Sequence, residues 1–137
     1  MPDLVIDPPA PRKVAKSADS FVQTIDLVEG ATRIGRARWQ CVNGLAQGVV
    51  QILELTVAPR LRRQGHAHQL MEAITTQAGV YFKASGGARL RRLWIAIEQK
   101  EQVIARSFLM QFGFHHVGTV KELFKDQDLL VYMRTFD

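Results

Sequence analysis

The first half of the chain shows the hydrophobic and polar pattern of β-strands. Residues 21–28 are rich in β-formers, and residues 33–42 alternate between apolar and polar side chains. Residues 49–57 are apolar on both faces, which is typical of a central strand rather than an edge strand. Turn signals at residues 29–30 and 43–44 separate the three segments. We therefore expect three strands in an antiparallel meander.

The centre of the chain changes to a helical pattern. After Gly65, apolar residues recur at steps of three and four, which is the period of a helix and not of a strand. These residues are Ala67, Leu70, Met71, Ile74, Ala78, Tyr81 and Phe82. The Ser-Gly-Gly sequence at residues 85–87 ends the predicted helix.

The remaining residues predict one strand, one helix and a final hairpin. The strand covers residues 91–97, and the helix covers roughly residues 101–112 with Gly113 as its left-handed terminating residue. The buried side of this helix is expected to carry Ile104, Ala105, Phe108 and Phe112. Strands at about residues 114–121 and 128–136 then form the hairpin.

This order of elements, β-β-β-α-β-α-β-β, predicts an α/β (α+β) fold. Its first β-α-β unit should be parallel with a right-handed crossover, and the other strand pairs should be antiparallel. The expected architecture is a mixed, mostly antiparallel six- to seven-stranded sheet with two packed helices. Residues 1–17 contain four of the five prolines, so we expect an extended or flexible arm with at most a short strand at residues 4–6. Residues 18–137 are expected to form a single domain.

Composition and charge limit the class of protein. A chain of 137 residues with 47% hydrophobic content can bury one core. The apolar runs are too short to cross a membrane and no signal peptide is evident, so we expect a cytoplasmic protein without a membrane partner. Cys41 is the only cysteine, which excludes an intrachain disulfide and a cysteine zinc cluster, and no metal site is expected. The net charge of +5 suits an anionic partner, which could be nucleic acid, a membrane surface or a phosphorylated cofactor.

Residues 55–67 have the composition of an anion-binding segment. A buried strand ends near Pro59, a basic loop follows, and small residues open the helix. Backbone N–H groups and the positive end of the helix dipole would then point into one concavity. Gly65 permits a tight backbone there, and Ala67 leaves room for a phosphate. Taken singly, the glycine also fits a structural turn and the loop arginines a solvated surface, so the prediction rests on their joint spacing.

The same spacing resembles motif A of the GNAT superfamily of N-acetyltransferases, which reads L-x-V, a proline, two residues, and [QR]-x-x-G-x-[GA]. The matching residues are Leu55, Val57, Pro59, Arg62, Gly65 and Ala67. The resemblance implies a GNAT-like fold in which one backbone segment binds the pyrophosphate of acetyl-CoA. That segment consists of Arg62, Arg63, Gln64, Gly65, His66 and Ala67. It also implies that the end of the preceding strand, at Leu55, Thr56 and Val57, pairs with the pantetheine amides.

A second segment resembles the family pattern N-x-x-A-x-x-x-Y-x-x-x-G-F. The aligned residues are Gln102, Ala105, Leu109, Gly113 and Phe114, three of which agree. Gln102 and Ala105 are therefore implied to line the acetyl-CoA site. The resemblance covers roughly residues 20–136 but lacks the helices that usually follow the first strand, which indicates a short form with an open acceptor side. It also leaves a homodimer open, since relatives are frequently dimers.

The implied reaction is direct attack of a primary amine on the thioester of acetyl-CoA, which requires a general base. Glu54 is the first candidate, on the central strand and expected to share an apolar face with Val50, Ile52 and Thr56. The alternative, given equal weight, is an ordinary surface carboxylate paired with an arginine such as Arg36 or Arg38. Glu98 at the end of the next strand is the second candidate base.

Other candidate groups receive less weight. A backbone N–H near Val57 is the expected oxyanion donor. Leu109 stands where relatives commonly carry a tyrosine acid, so either water protonates the leaving thiolate or the catalytic step is compromised. Cys41 is interpreted as a small core residue, and His115 and His116 as ordinary strand residues.

Three functions remain open at this point. The first is an N-acetyltransferase acting on a small polyamine-like or antibiotic-like amine, a protein lysine or an N-terminus. The second is a non-catalytic acyl-CoA-binding module that senses or regulates, which the missing tyrosine favours. The third is a nucleic-acid-binding domain using residues 60–63 and 89–92; it ranks last because it lacks interleaved exposed aromatic residues.

Overall fold

A computed structural model describes residues 3–6, 22–58, 65–86 and 89–136. In chain order the strands are β1 (Asp3–Ile6), β2 (Val22–Glu29), β3 (Thr32–Val42), β4 (Val49–Val57), β5 (Arg92–Glu98), β6 (His115–Phe124) and β7 (Gln127–Thr135). The helices are α1 (His66–Ala84), a 3₁₀ turn (Gln99–Glu101) and α2 (Gln102–Gln111). β6 ends three residues later than predicted, β7 is shifted by one residue from its predicted range, and the two strands meet at a two-residue turn, 125–126.

All seven strands form one mixed sheet in the order β1-β2-β3-β4-β5-β7-β6. The predicted meander of β2, β3 and β4 is confirmed, as is the parallel pairing of β4 with β5 across α1. Every other neighbouring pair is antiparallel. The short strand expected at residues 4–6 is present as β1, which pairs with β2 and brings the sheet to seven strands.

The core lies between the sheet and the two helices, which pack on the same face of the sheet. Right-handed crossovers from β4 to β5 and from β5 to β6 place both helices on that side. The ring of His68 on α1 lies 4.6 Å from the ring of Phe112 at the end of α2. The largest fully buried side chains of this core include Trp39, Tyr132, Phe82, Phe114, Ile25, Leu27, Ile52, Leu70, Met71, Ile74, Leu93 and Leu109.

α1 buries the face that its periodicity predicts. Leu70, Met71, Ile74, Ala78 and Phe82 are all buried, and the helix ends at Ser85 followed by Gly86 with φ +70°. α2 departs from expectation. Ile104 was expected on the buried side but is 65% exposed.

Leu109 is the α2 residue that enters the core, with 1% exposure. The other three expected residues, Ala105, Phe108 and Phe112, pack against the core, and Ile104 is exposed because it lies at the edge of the stripe that they form with Leu109. The predicted end is confirmed: Gly113 has φ +84°, and the Phe114 N–H donates to the Leu109 carbonyl at 3.0 Å, as in a Schellman motif.

Gly48 holds the start of the parallel pair and gives a stability prediction. Its carbonyl accepts from the Arg91 N–H at 2.7 Å, its φ is +66°, and a Cβ would collide with the Arg89 carbonyl oxygen. We expect Gly48→Ala to lower the free energy of unfolding by about 2–4 kcal/mol, since left-handed strain and the clash add. Gly30→Ala is the matched control, with φ +63° but open space at the Cβ. Denaturant unfolding of both variants checks this, and equal losses would contradict a steric role for Gly48.

Candidate functional site

Strand β4 contains a bulge that turns its second half over. Arg38 of β3 pairs with Glu54, but the next residue, Trp39, pairs with Ile52, so Leu53 is an extra residue in β4. Before the bulge, even-numbered residues of β4 face the helices. After it, Leu55 and Val57 face them instead, because they pair with residues of β3 that lie under α1.

Beyond the bulge, β4 and β5 separate. Their parallel pairing covers Val49 to Ile52 on β4 and Arg92 to Ile95 on β5. Within the described residues, the later parts of the two strands pair only with their outer neighbours, β3 and β7. We call the gap between residues 54–57 and residues 96–98 the β4–β5 cleft. Its walls are backbone edges whose N–H and C=O groups lack a partner strand across the gap.

The N-terminus of α1 follows β4 in the chain. Gly65 is its N-cap, with φ +82° and no side-chain capping bond, and the first turn contains no acidic residue. An ideal Cβ on Gly65 would meet nothing within 4 Å. The positive end of the helix dipole is therefore uncompensated by acidic side chains of its first turn, and no residue that the structure describes fills the space at Gly65, which suits an anion.

The predicted pyrophosphate-binding residues fall into two groups. Arg62, Arg63 and Gln64 lie outside the described residues. His66 and Ala67 form the first turn of α1, and both are half-buried. Of the strand residues implied to contact pantetheine, Leu55 and Val57 pack against the core, and Thr56 is exposed. All of the described members of this set follow the β4 bulge.

Gln102 and Ala105 also belong to this end of the sheet. They lie in the first two turns of α2, which begins directly after β5 and the 3₁₀ turn, and both are half-buried. The first turns of α1 and α2 thus follow the carboxyl ends of the two parallel strands. Ligands of α/β sheets bind in crevices at such strand ends.

The expected surroundings of Glu54 are wrong in one respect. Because of the bulge, Glu54 does not share a face with Val50 and Ile52; it lies with Thr56 on the side of the sheet opposite the helices, which we call the far face. The side chain is half-buried, and its Oε2 accepts a hydrogen bond from Thr56 Oγ1 at 3.1 Å. No helix among the described residues packs on the far face.

The arginine partners considered for Glu54 behave differently from expectation. The Arg36 guanidinium donates to both carboxylate oxygens of Asp26, with the Nε to Oδ1 distance at 2.7 Å. This hydrogen bond, with the charge of Arg36 and of the more distant Arg33, keeps the pKa of Asp26 below its ordinary value. Arg38 lies directly opposite Glu54 but forms no ion pair with it.

Glu98, the second candidate base, ends β5 on the far face. Its Oε2 lies 3.3 Å from Lys100 Nζ, and both side chains are substantially exposed. This exposed ion pair contributes little to stability, but it engages the carboxylate of Glu98. His115 is exposed, and His116 Nε2 lies 3.0 Å from Thr119 Oγ1.

No acidic side chain or phenol of α2 occupies the position expected for a proton donor. Leu109 belongs to the core. Tyr132 on β7 pairs in register with Ile95, the last residue of β5 that pairs with β4, and its hydroxyl is buried without a hydrogen-bond partner. Tyr81 is half-buried with its ring 5.8 Å from that of Trp39.

Comparison with known proteins now decides the family. The model of the acetyltransferase (GNAT) family matches residues 12–114 of this chain. The chain belongs to this family. It is thus an acetyl-CoA-dependent acyltransferase of the GNAT fold, and the resemblance found at residues 55–67 is confirmed.

Solved structures support the fold of this acetyltransferase. A GNAT family acetyltransferase from Elizabethkingia anophelis with acetyl-CoA bound has a TM-score of 0.72 at 14% identity, covering 97% of this chain and 98% of that one. The IAA acetyltransferase from Bacillus cereus ATCC 14579 has a TM-score of 0.72 at 14% identity, covering 98% and 100%. No curated protein sequence matches the chain significantly.

A longer relative illustrates that this acetyltransferase is a short form. The ribosomal-protein-S18-alanine N-acetyltransferase from Escherichia coli has a TM-score of 0.66 at 16% identity; the match covers 85% of this chain but 70% of that one. None of the helices in the described part of this chain is long and apolar enough to cross a membrane. In the same ranges, no three His, Cys, Asp or Glu side chains come together.

Sequence reasoning missed the position of Glu54 on the far face. The alternation of Arg36, Arg38 and Gln40 along β3 was visible and places all three on one face. This alternation could not reveal that the bulge brings Glu54 to the same face. Residues 49–57 have apolar side chains at both odd and even positions, so their pattern does not show where a residue is inserted.

Proposed function

We propose that this acetyltransferase binds acetyl-CoA in the β4–β5 cleft and at the N-terminus of α1, and transfers the acetyl group to a primary amine. The observation that carries the proposal is the separation of β4 from β5 after Ile52. It exposes strand backbone that can hydrogen-bond an extended amide chain, as a partner strand would. The pantetheine arm of acetyl-CoA contains two such amides.

The N-terminus of α1 would hold the phosphates. Its backbone N–H groups have no capping side chain, and Gly65 leaves space above them. The pyrophosphate of acetyl-CoA supplies the negative charge that such a helix end favours. Gln102 and Ala105, at the start of α2, would line the other side of the same cleft.

The acceptor would approach from the far face, where Glu54 lies beside the cleft. In the proposed step, the amine nitrogen attacks the thioester carbonyl carbon, a C–N bond forms and the C–S bond breaks. Glu54 accepts the proton that the amine loses, and Thr56 orients the carboxylate through its hydroxyl. A backbone N–H near Val57 remains the proposed donor to the developing oxyanion.

The leaving group needs little assistance. A thiol with a pKa of about 8.5 departs readily as thiolate, so water can protonate it after the C–S bond breaks. This accommodates Leu109, which is buried in the core and has no proton to donate.

The test of this proposal is a calorimetric titration with acetyl-CoA followed by an assay of thiol release. We expect binding with a dissociation constant in the range of about 1 μM to 1 mM, and thiol release that depends on an added amine. Absence of acetyl-CoA binding would contradict the cleft as the cofactor site.

The second candidate function, a non-catalytic acyl-CoA-binding regulator, is favoured by one observation. Leu109 stands in the core where relatives carry a tyrosine, and the phenol of Tyr132 is buried. The two functions differ in one readout: a regulator binds acetyl-CoA but releases no thiol with any amine.

A further inference from the structure

We propose that the acceptor is an amine that carries its own carboxylate, namely a free amino acid with an apolar side chain, and that Arg38 selects it. This inference rests on the proposed function, since it assumes that Glu54 receives the amine. It is carried by the arrangement of charges around Glu54 on the far face.

Arg38 and Glu54 are cross-strand neighbours that do not neutralise each other. They pair in register between β3 and β4, which places their Cβ atoms about 4.5–5.5 Å apart. The Glu54 carboxylate nevertheless accepts from Thr56, and no salt bridge joins it to Arg38. Both side chains are half-buried.

Among the described residues, the charged neighbours of Arg38 form no ion pair with it. Asp26, the carboxylate of the adjacent strand β2, is bound by Arg36 through two hydrogen bonds. The β2 residue opposite Arg38 is Thr24, which carries no charge. Among the described residues, therefore, Arg38 has no carboxylate partner.

A zwitterion would complete this arrangement. Its ammonium group would lie against Glu54, and its carboxylate would receive the planar guanidinium of Arg38, which can bind it through two parallel hydrogen bonds. An amine without a carboxylate would pair with Glu54 only and would leave the half-buried guanidinium of Arg38 without a counter-charge.

Across the β4–β5 cleft, the far face of β5 and β7 carries apolar side chains up to Ala96, with Glu98 at its end, and these apolar side chains suggest the rest of the acceptor. Ala96 is a small residue of β5 between Trp94 and Glu98, which share its face. β7 adds half-buried side chains next to them in register, Val131 opposite Ala96 and Met133 opposite Trp94. An aliphatic or aromatic side chain directed away from Arg38 would bury apolar surface against these residues.

The test compares amino acids with their amides, which lack the carboxylate but keep the amine and the side chain. The acceptors are leucine and phenylalanine against leucinamide and phenylalaninamide, assayed by thiol release from acetyl-CoA. We expect kcat/KM for each amino acid to exceed that for its amide at least about tenfold, the value of one good charge-assisted contact of about 1.4 kcal/mol or more. Arg38→Gln should reduce this ratio to about one, and Arg38→Lys should restore part of it.

Arg33→Gln is the matched control, since Arg33 is an exposed arginine of the same strand. It should leave the ratio at the wild-type value. An amide preferred over its amino acid, or an Arg38→Gln variant that loses both acceptors equally, would overturn the inference while leaving the acetyltransferase proposal intact. No turnover of any of the four acceptors also overturns it, and the acetyl-CoA titration then shows whether the cofactor site fails with it.

Discussion

Gly65→Asp is expected to weaken acetyl-CoA binding on the order of 100-fold. Gly65 is the N-cap of α1, and its missing Cβ faces open space at the positive helix end. A carboxylate placed there would lie about 5 Å from a bound phosphate and raise its energy by roughly 3 kcal/mol at an effective dielectric constant of 20. Calorimetric titration with acetyl-CoA measures the loss, which should shrink as salt screens the repulsion.

The variant Gly65→Asn separates the effect of the negative charge on acetyl-CoA binding from the effect of the size of the side chain. Asparagine has the size of aspartate and also tolerates the left-handed conformation that φ +82° requires. We expect it to lose less than about tenfold in affinity, so that most of the aspartate effect is electrostatic. Both variants should lose a similar, small amount of stability, because Asp and Asn tolerate the left-handed conformation of Gly65 better than most other residues. Unchanged affinity in Gly65→Asp would exclude this helix end as the phosphate site.

Glu54→Gln is expected to lower kcat/KM for a primary alkylamine about 100-fold at pH 7, the lower part of the range for general-base catalysis. The glutamine side-chain oxygen can still accept from Thr56, so the local geometry should survive. At neutral pH the amine, with a pKa of about 10.4, is almost entirely protonated and must lose a proton to react. Near pH 10 much of the amine is already free, so the deficit of the variant should narrow.

The pH–rate profile of thiol release tests this assignment. Glu29→Gln serves as the control, since Glu29 is an exposed carboxylate at the end of β2. The rate of thiol release by Glu29→Gln should match that of the wild type at every pH. Should Glu98→Gln show the large, pH-dependent loss instead, the base is Glu98 and the role of Glu54 is refuted. A pH–rate profile of Glu54→Gln that runs parallel to the wild-type profile would also refute Glu54 as the base.

Local patterns in the sequence predicted most elements correctly. The alternation in β3 and the three- and four-residue steps of α1 each reflect one buried face, and burial dominates the choice of element. Gly113 likewise marks the end of α2 correctly, because only glycine adopts φ +84° without strain. The bounds of α2 were predicted to within one residue, but the 3₁₀ turn before it was not, since that turn depends on how residues 99–101 meet β7 through bonds such as Lys100 N–H to Gln127 Oε1.

The family of this chain was predictable because the features that indicate it are local. Residues 55–67 combine a strand end, a glycine and a helix start within thirteen consecutive positions, so their resemblance to motif A indicated the GNAT family, which the family match confirms. The direction of the helix dipole at Gly65 follows from the same local order.

Only the tertiary structure decided where β4 leaves β5 and which face Glu54 occupies. Both depend on the inserted Leu53, whose place is set by the pairing of β4 with β3 and not by any property of its neighbours in sequence. A one-residue shift exchanges the two faces of a strand, because successive side chains point to opposite sides. Residues 55–67 therefore specified the donor from sequence alone, whereas the pairing of three strands placed Glu54 beside Arg38 and so defined the proposed acceptor.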